Sequence, residues 1–133
     1  MITRPRVYLA GPDVFRPDAA QHFAMLRAIC DTLGLEALSP FDESAPVDIS
    51  AQAIYENNMR LLRSAQGVIA NLAPFRGAEP DSGTVFEVGV AAAMGIPVAV
   101  YGHDGANPKF AGAVTFVLDA ESALRFLSEK LQK

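Results

Sequence analysis

Several short apolar runs, each closed by glycine, proline or a small polar residue and followed by a segment of helical periodicity, constrain this chain more than any other feature. The clearest is Gly67-Val68-Ile69-Ala70-Asn71-Leu72. It is continuous rather than alternating, the pattern of a strand covered on both faces in a parallel sheet. Val7-Tyr8-Leu9-Ala10 before Gly11-Pro12, residues 35–38 before Ser39-Pro40, and residues 97–101 and 114–118 read as further strands. Between them, residues 17–33 place Phe23, Leu26, Ile29, Cys30 and Leu33 at helical spacing, with Gly34 as the stop. Residues 48–65 carry a stripe of Ala51, Ile54, Leu61, Leu62 and Ala65 that also contains Asn58, a polar side chain that needs a partner there. A third helix opens at Gly83-Thr84 and runs to about Met94, and Asp119 caps a last one bearing Leu124, Leu127 and Leu131.

Strands alternating with helices build βαβ units, and hence a parallel sheet with helices on both faces. The expected fold is an α/β three-layer sandwich with a five-stranded parallel sheet in the flavodoxin-like order 2-1-3-4-5. In that order ligands bind beyond the carboxyl ends of the strands, where the order reverses between the first and third strands. The loops starting at Gly11 and Ala73 are therefore expected to flank the site. With no repeat, low-complexity tract or linker, residues 1–133 read as a single domain.

Composition removes several classes of function. Half of the residues are hydrophobic and 20% charged, so the chain can bury a core. A net charge of -4 and no Lys/Arg run argue against nucleic-acid polymers and membrane surfaces as partners. No apolar stretch approaches the roughly 18 residues of a membrane span. The single cysteine, Cys30, forms no metal-ligand spacing with His22 and His103, so no structural zinc and a reducing compartment are expected, and with no signal-peptide or membrane-span pattern the chain reads as cytoplasmic.

The sharpest constellation is Pro80-Asp81-Ser82-Gly83-Thr84-Val85-Phe86-Glu87-Val88-Gly89. Two carboxylates six residues apart span a helix start and can face one crevice. Amides at a helix N-terminus favour an ionised carboxylate, which suits a nucleophile, whereas a general acid needs a raised pKa, so Asp81 and Glu87 can divide those roles. Thr84-x-x-Glu87 is equally a capping-box pattern, with Glu87 bonding the cap backbone. In Tyr8-Leu9-Ala10-Gly11-Pro12-Asp13-Val14-Phe15, Tyr8 either presents its hydroxyl to the crevice or sits in the core, and Phe15 either stacks on a planar ligand or covers the first helix. Asn58 and Asn71 are buried amides or ligand contacts. Phe75-Arg76-Gly77 is a lid or an ordinary solvated turn.

The ordered set Tyr8-Leu9-Ala10-Gly11-Pro12, Asn57-Asn58-Met59, Val68-Ile69-Ala70-Asn71-Leu72, Pro74-Phe75-Arg76-Gly77, Pro80-Asp81-Ser82-Gly83-Thr84 and Glu87-Val88-Gly89 resembles the nucleoside 2-deoxyribosyltransferases. The resemblance implies a double displacement. Glu87 attacks C1′ of a 2′-deoxynucleoside, the base departs from a covalent 2-deoxyribosyl ester, and a second base attacks, so configuration is retained. It further implies that Asp81 protonates the departing base and deprotonates the incoming one, and that Tyr8 orients Glu87. Substrate contacts would come from Gly11, Asp13, Phe15, Asn58, Asn71, Phe75, Arg76 and Gly83, with Phe15 on the base face. The partners implied are small-molecule 2′-deoxynucleosides, free nucleobases and further copies of the chain in a homo-oligomer, and no metal or organic cofactor is implied.

Two positions depart from the family pattern. Asn58 stands where some members have Asp, and residues 102–112 lack the Asn-Leu-Met stretch with which family members complete a neighbouring subunit's site, leaving Asn107 as a candidate substitute. A site less shielded from water favours hydrolysis of the ester. The alternatives are a 2′-deoxynucleoside 5′-monophosphate N-glycosidase with Ser82 and Arg76 near the phosphate, a phosphoribohydrolase with a related Gly-Thr-x-x-Glu element, and a non-catalytic nucleoside-binding module.

Overall fold

The computed structural model describes residues 3–39, 50–103 and 111–132. Five strands, β1 (Arg6–Ala10), β2 (Glu36–Leu38), β3 (Gly67–Asn71), β4 (Val98–Tyr101) and β5 (Thr115–Phe116), form one parallel sheet in the order β2-β1-β3-β4-β5. Four helices, α1 (Ala19–Thr32), α2 (Ala51–Ser64), α3 (Ser82–Ala93) and α4 (Ala120–Leu131), cover it. The architecture is the expected three-layer sandwich. No helix among the described residues is long and apolar enough to cross a membrane.

The pleat divides the side chains between two cores. Val7, Leu9, Ile69 and Ala99 face α1 and α4, where Phe23, Leu26, Cys30, Leu124 and Leu127 close the layer. Tyr8, Ala10, Val68, Ala70, Val98 and Val100 face the opposite layer and pack with Met59, Leu62, Val88 and Ala91 of α2 and α3. Period-2 alternation within an unbroken apolar run is what a strand buried on both faces requires. It also sends the Tyr8 ring toward α2 and α3.

Several boundaries differ from the sequence expectation for identifiable reasons. Helix α1 begins at Ala19 rather than at residue 17, and Asp18 makes no side-chain cap because its carboxylate pairs with Arg16 (2.8 and 3.0 Å). Ser50 caps α2, its side chain accepting from Ala53 N at 3.2 Å. The expected start at Asp48 lies outside the described residues. Helix α3 starts one residue early, at Ser82, because its cap is Asp81. The last strand, expected over residues 114–118, is only two residues long, although Val117 N still donates to Val100 O (2.8 Å). It is shortened from one side by the 3-10 turn Ala111–Ala113 and followed by an exposed Leu118.

Candidate active site

The buried stripe of α3 is Thr84, Glu87, Val88 and Ala91, a run of i, i+3, i+4 and i+7. Helical periodicity therefore turns Glu87 inward, into a layer that is otherwise apolar. There the Tyr8 hydroxyl donates to Glu87 Oε2 at 2.7 Å, across 79 residues of sequence. Asn58, from the apolar stripe of α2, lines the same cavity as Glu87 and favours its ionised form. Tyr8 is 1% and Glu87 8% exposed.

Burial is the largest influence on Glu87 and pushes its carboxyl up to about 7, with the charge of Asp81 acting in the same direction and the Tyr8 hydrogen bond and the Asn58 amide acting against it. The sequence pointed instead to a carboxylate held ionised by the helix start. Glu87 is the sixth residue of α3, however, and the field of a helix terminus fades within the first turn, so desolvation dominates. Burial likewise raises the Tyr8 hydroxyl far above its ordinary value, and the nearby Glu87 adds to the rise. Tyr8 thus remains a donor at any usable pH.

The capping box resolves in a different frame. Asp81 is the N-cap of α3, and its Oδ2 accepts from both Thr84 N (3.0 Å) and Thr84 Oγ1 (2.8 Å). Glu87 takes no part in the cap. Both Thr84 bonds fall on Oδ2.

A cavity of about 320 Å³ opens over Glu87. Asn58 and Glu87 are its polar groups, Ile54, Tyr55, Met59 and Phe86 its apolar walls, and Gly83 part of its rim. Tyr55 and Phe86 lie 6.4 Å apart between ring centroids at 49°. An apolar pocket with a few convergent polar groups and a carboxyl of shifted pKa is the usual form of a small-molecule site. A second cavity, of about 390 Å³, is lined by Pro97, Val98 and Thr115 at the amino ends of β4 and β5, away from the switch point. Among the described residues no three His, Cys, Asp or Glu side chains converge as they would around a metal ion.

The structure brings Asn58, Gly83 and Glu87 to this cavity, with Tyr8 buried and hydrogen-bonded to Glu87 and the Asp81 charge close enough to act on Glu87. The other expected contacts form two neighbouring groups outside its lining. Asp13 is buried, with Oδ1 accepting from Asn71 Nδ2 (3.1 Å) and Oδ2 bonded to His22 Nε2 (2.6 Å). Phe15 and Phe75 stack on each other at 5.5 Å and 27°, with the Arg76 guanidinium over both rings at 4.9 and 4.7 Å. His103 sits 5.8 Å from the Phe116 ring, and Asn107 lies outside the described residues.

Sequence reasoning missed Ile54, Tyr55 and Phe86 as pocket walls and His22 as the partner of Asp13. The three walls are exposed large apolar side chains on α2 and α3, a signal that a helical-wheel reading beside Asn58 and Glu87 offers. Gly11 has a tighter constraint. A Cβ there meets Asp13 Oδ1 at 2.5 Å and Asn71 Cβ at 3.0 Å, at a φ of 155°. Gly11→Ala is expected to lower stability by about 2–4 kcal/mol, read by thermal unfolding. A change under about 0.5 kcal/mol, the scale of an ordinary surface substitution, would contradict that packing.

Comparison with known proteins follows the same lines. The nucleoside 2-deoxyribosyltransferase family matches residues 7–129. An uncharacterized protein of Schizosaccharomyces pombe is 41% identical over 108 residues, which are 76% of this chain and 51% of that protein. The chain thus spans about half the length of the curated relative it matches. A 2-desoxiribosyltransferase from Leishmania mexicana superposes with a TM-score of 0.65 at 36% identity, covering 73% of this chain and 63% of that one. The CMP N-glycosidase BcmB of Clostridium botulinum superposes with a TM-score of 0.64 over 93% of this chain and 98% of its own, at 17% identity, a likeness of fold alone.

Proposed function

Because the chain belongs to the nucleoside 2-deoxyribosyltransferase family, we propose that it moves 2-deoxyribose between nucleobases through an ester on Glu87. The observation that carries this reading is the Glu87 carboxylate itself, buried, held by Tyr8 at 2.7 Å and open to an aromatic-walled cavity. Ionised Glu87 attacks C1′ of the deoxynucleoside, the C1′–N bond breaks with its electrons going to the base, and Asp81 Oδ1 supplies the proton that the base takes as it leaves. In the second half a new base attacks C1′ from the opposite face and returns its proton to Asp81, releasing Glu87 with retention overall. The Tyr8 hydroxyl fixes the carboxylate in one orientation, so little motion is needed at the moment of attack.

Asp81 has two separable duties in this scheme. Asp81→Ala is expected to lose the cap and about 1 kcal/mol of stability. Asp81→Asn keeps a good cap but carries no exchangeable carboxyl proton, so its transfer rate is expected to fall about 10²–10⁴-fold at nearly unchanged melting temperature. Full activity in Asp81→Asn would restrict Asp81 to the cap.

A homo-oligomer belongs to the same proposal. The solvent side of α3 presents Phe86, Gly89, Ala93 and Met94, and the helix carries no charged side chain apart from the buried Glu87. A face of that kind suits another protein surface better than water. The single, buried cysteine fits a cytoplasmic setting.

The test is chromatography of a 2′-deoxynucleoside incubated with the protein, with and without a second free base. A new deoxynucleoside that appears only with the acceptor is the expected result. Free base and deoxyribose without exchange would make the protein a hydrolase, the reaction class of the Clostridium neighbour, and would direct the next trial to 5′-monophosphates. No turnover of either donor would leave a nucleoside-binding module.

A further inference from the structure

We infer that His22 is a positioning residue: by holding Asp13, it locks the loops after β1 and β3 together and so sets the Phe15–Phe75–Arg76 stack. His22 lies in the first turn of α1, its backbone N–H donating to Asp18 O at 2.9 Å. Its side chain is 9% exposed and that of Asp13 is 6% exposed, and the 2.6 Å bond between them fills one carboxylate oxygen. Asn71 Nδ2 fills the other at 3.1 Å, while Asn71 Oδ1 accepts from Ala73 N at 3.0 Å. One chain of hydrogen bonds therefore runs from α1 through the turn Pro12–Phe15 to the end of β3 and into the loop beyond it.

Two glycines show how closely these segments approach. Gly11 leaves no room for a Cβ beside Asp13 and Asn71. Gly102, at the end of β4 with a φ of 80°, would set a Cβ 2.8 Å from Asn71 Oδ1 and 2.9 Å from Ala73 N. Three strand ends meet at the chain of bonds, at the place where the strand order reverses.

The aromatic stack hangs from both ends of that chain. Phe15 follows Asp13 by two residues and Phe75 follows Ala73 by two. Arg76, over both rings, has a left-handed backbone at φ 53° that is rare outside glycine. The turn itself is closed within its own loop by Phe75 N donating to Glu79 O at 2.8 Å, and the Asp13–Asn71 bond ties the start of that loop to the turn after β1. A buried Asp13 without His22 would be left with an unpaired carboxylate oxygen, which favours opening of the loop to water.

The test compares the wild type with His22→Leu and His22→Gln by amide hydrogen exchange. In His22→Leu, the Ala73 amide, which the chain of bonds holds, is expected to exchange at least about 10-fold faster while Ile69 and Ala70 in β3 keep their protection. His22→Gln, whose amide still donates toward Asp13, is expected to restore most of it. Asp13→Ala, which removes both acceptor oxygens, serves as a second variant and is expected to show the same local loss. Unchanged exchange in residues 72–80, a uniform loss across the sheet, or no rescue by His22→Gln would each overturn the inference.

A kinetic arm rests on the proposed deoxyribosyl transfer. There His22→Leu is expected to raise the KM for the donor about 10-fold while kcat changes less than about 3-fold, the pattern of lost substrate positioning. An equal fall in kcat would overturn the positioning role. Absence of turnover in the wild type would remove the transfer reading and leave the exchange result to judge the clamp.

Discussion

Glu87→Gln is expected to lose catalysis by on the order of 10⁴-fold and, at the same time, to yield a more stable protein above neutral pH. Both effects come from the same burial. In the folded chain the Glu87 carboxyl is pushed up from 4.5 to about 7, chiefly by desolvation. The folded state therefore holds a proton between those pH values that the unfolded chain has released, and stability falls as pH rises across that window. Below 4.5 both states are protonated and the group contributes no penalty. Above 7 the full cost of burying the charge is present, about 3 kcal/mol.

Glutamine occupies the same space and never ionises. The urea midpoints of the two proteins should agree near pH 4.5 and separate progressively up to pH 8, with the variant higher. Equal midpoints at pH 8 would mean that the carboxylate is not costly where it sits. A variant that retained a tenth of wild-type transfer would mean that some other group attacks C1′.

The second large effect belongs to Tyr8. On the proposed mechanism the acid limb of kcat/KM follows the fraction of Glu87 that is ionised, so kcat/KM should rise tenfold per unit up to about pH 7. The Tyr8 hydroxyl favours the ionised form through its 2.7 Å hydrogen bond. Removing a hydrogen bond to a charged group costs about 1.5–3 kcal/mol, or one to two units of pKa. Tyr8→Phe should therefore move the acid limb upward and lower kcat/KM at pH 6 by about 10–100-fold, with the deficit narrowing in alkaline solution. Tyr8 itself should add no alkaline limb, because burial keeps its proton on. A flat wild-type profile from pH 5 to 9 would remove Glu87 ionisation from the rate, and an unshifted limb in Tyr8→Phe would remove the hydrogen bond as its cause.

The elements and their order were legible because the chemistry of a doubly covered parallel sheet is explicit in the chain. Unbroken apolar runs such as residues 67–72 end at turn-forming residues, and helical stripes lie between them. Tyr8 and Glu87 were legible as separate residues, and the strand order, which places β1 beside β3 and under α3, says why they meet. The frame of the cap was misread since both Asp81 and Thr84 are good cap residues. Only the backbone shows Asp81 accepting from Thr84.

Asp13 illustrates the opposite limit. Its position after β1 suggested a ligand contact, yet its fate depends on His22, nine residues away on α1, and on Asn71 at the end of another strand. No periodicity links those three residues. Phe15 and Phe75 likewise announce aromatic surface at the strand ends, and sequence spacing cannot say that they stack on each other.

The most direct measurement is the intact mass of the protein after brief incubation with a slow donor, a 2′-deoxy-2′-fluoro nucleoside whose fluorine disfavours the oxocarbenium-like transition state. The predicted result is a mass increase of one fluorinated sugar unit, mapped by peptide digestion to the segment containing Glu87, absent in Glu87→Gln and discharged when a free base is added. Release of base from the donor with no adduct on the protein, or an adduct that persists in Glu87→Gln, would contradict the account.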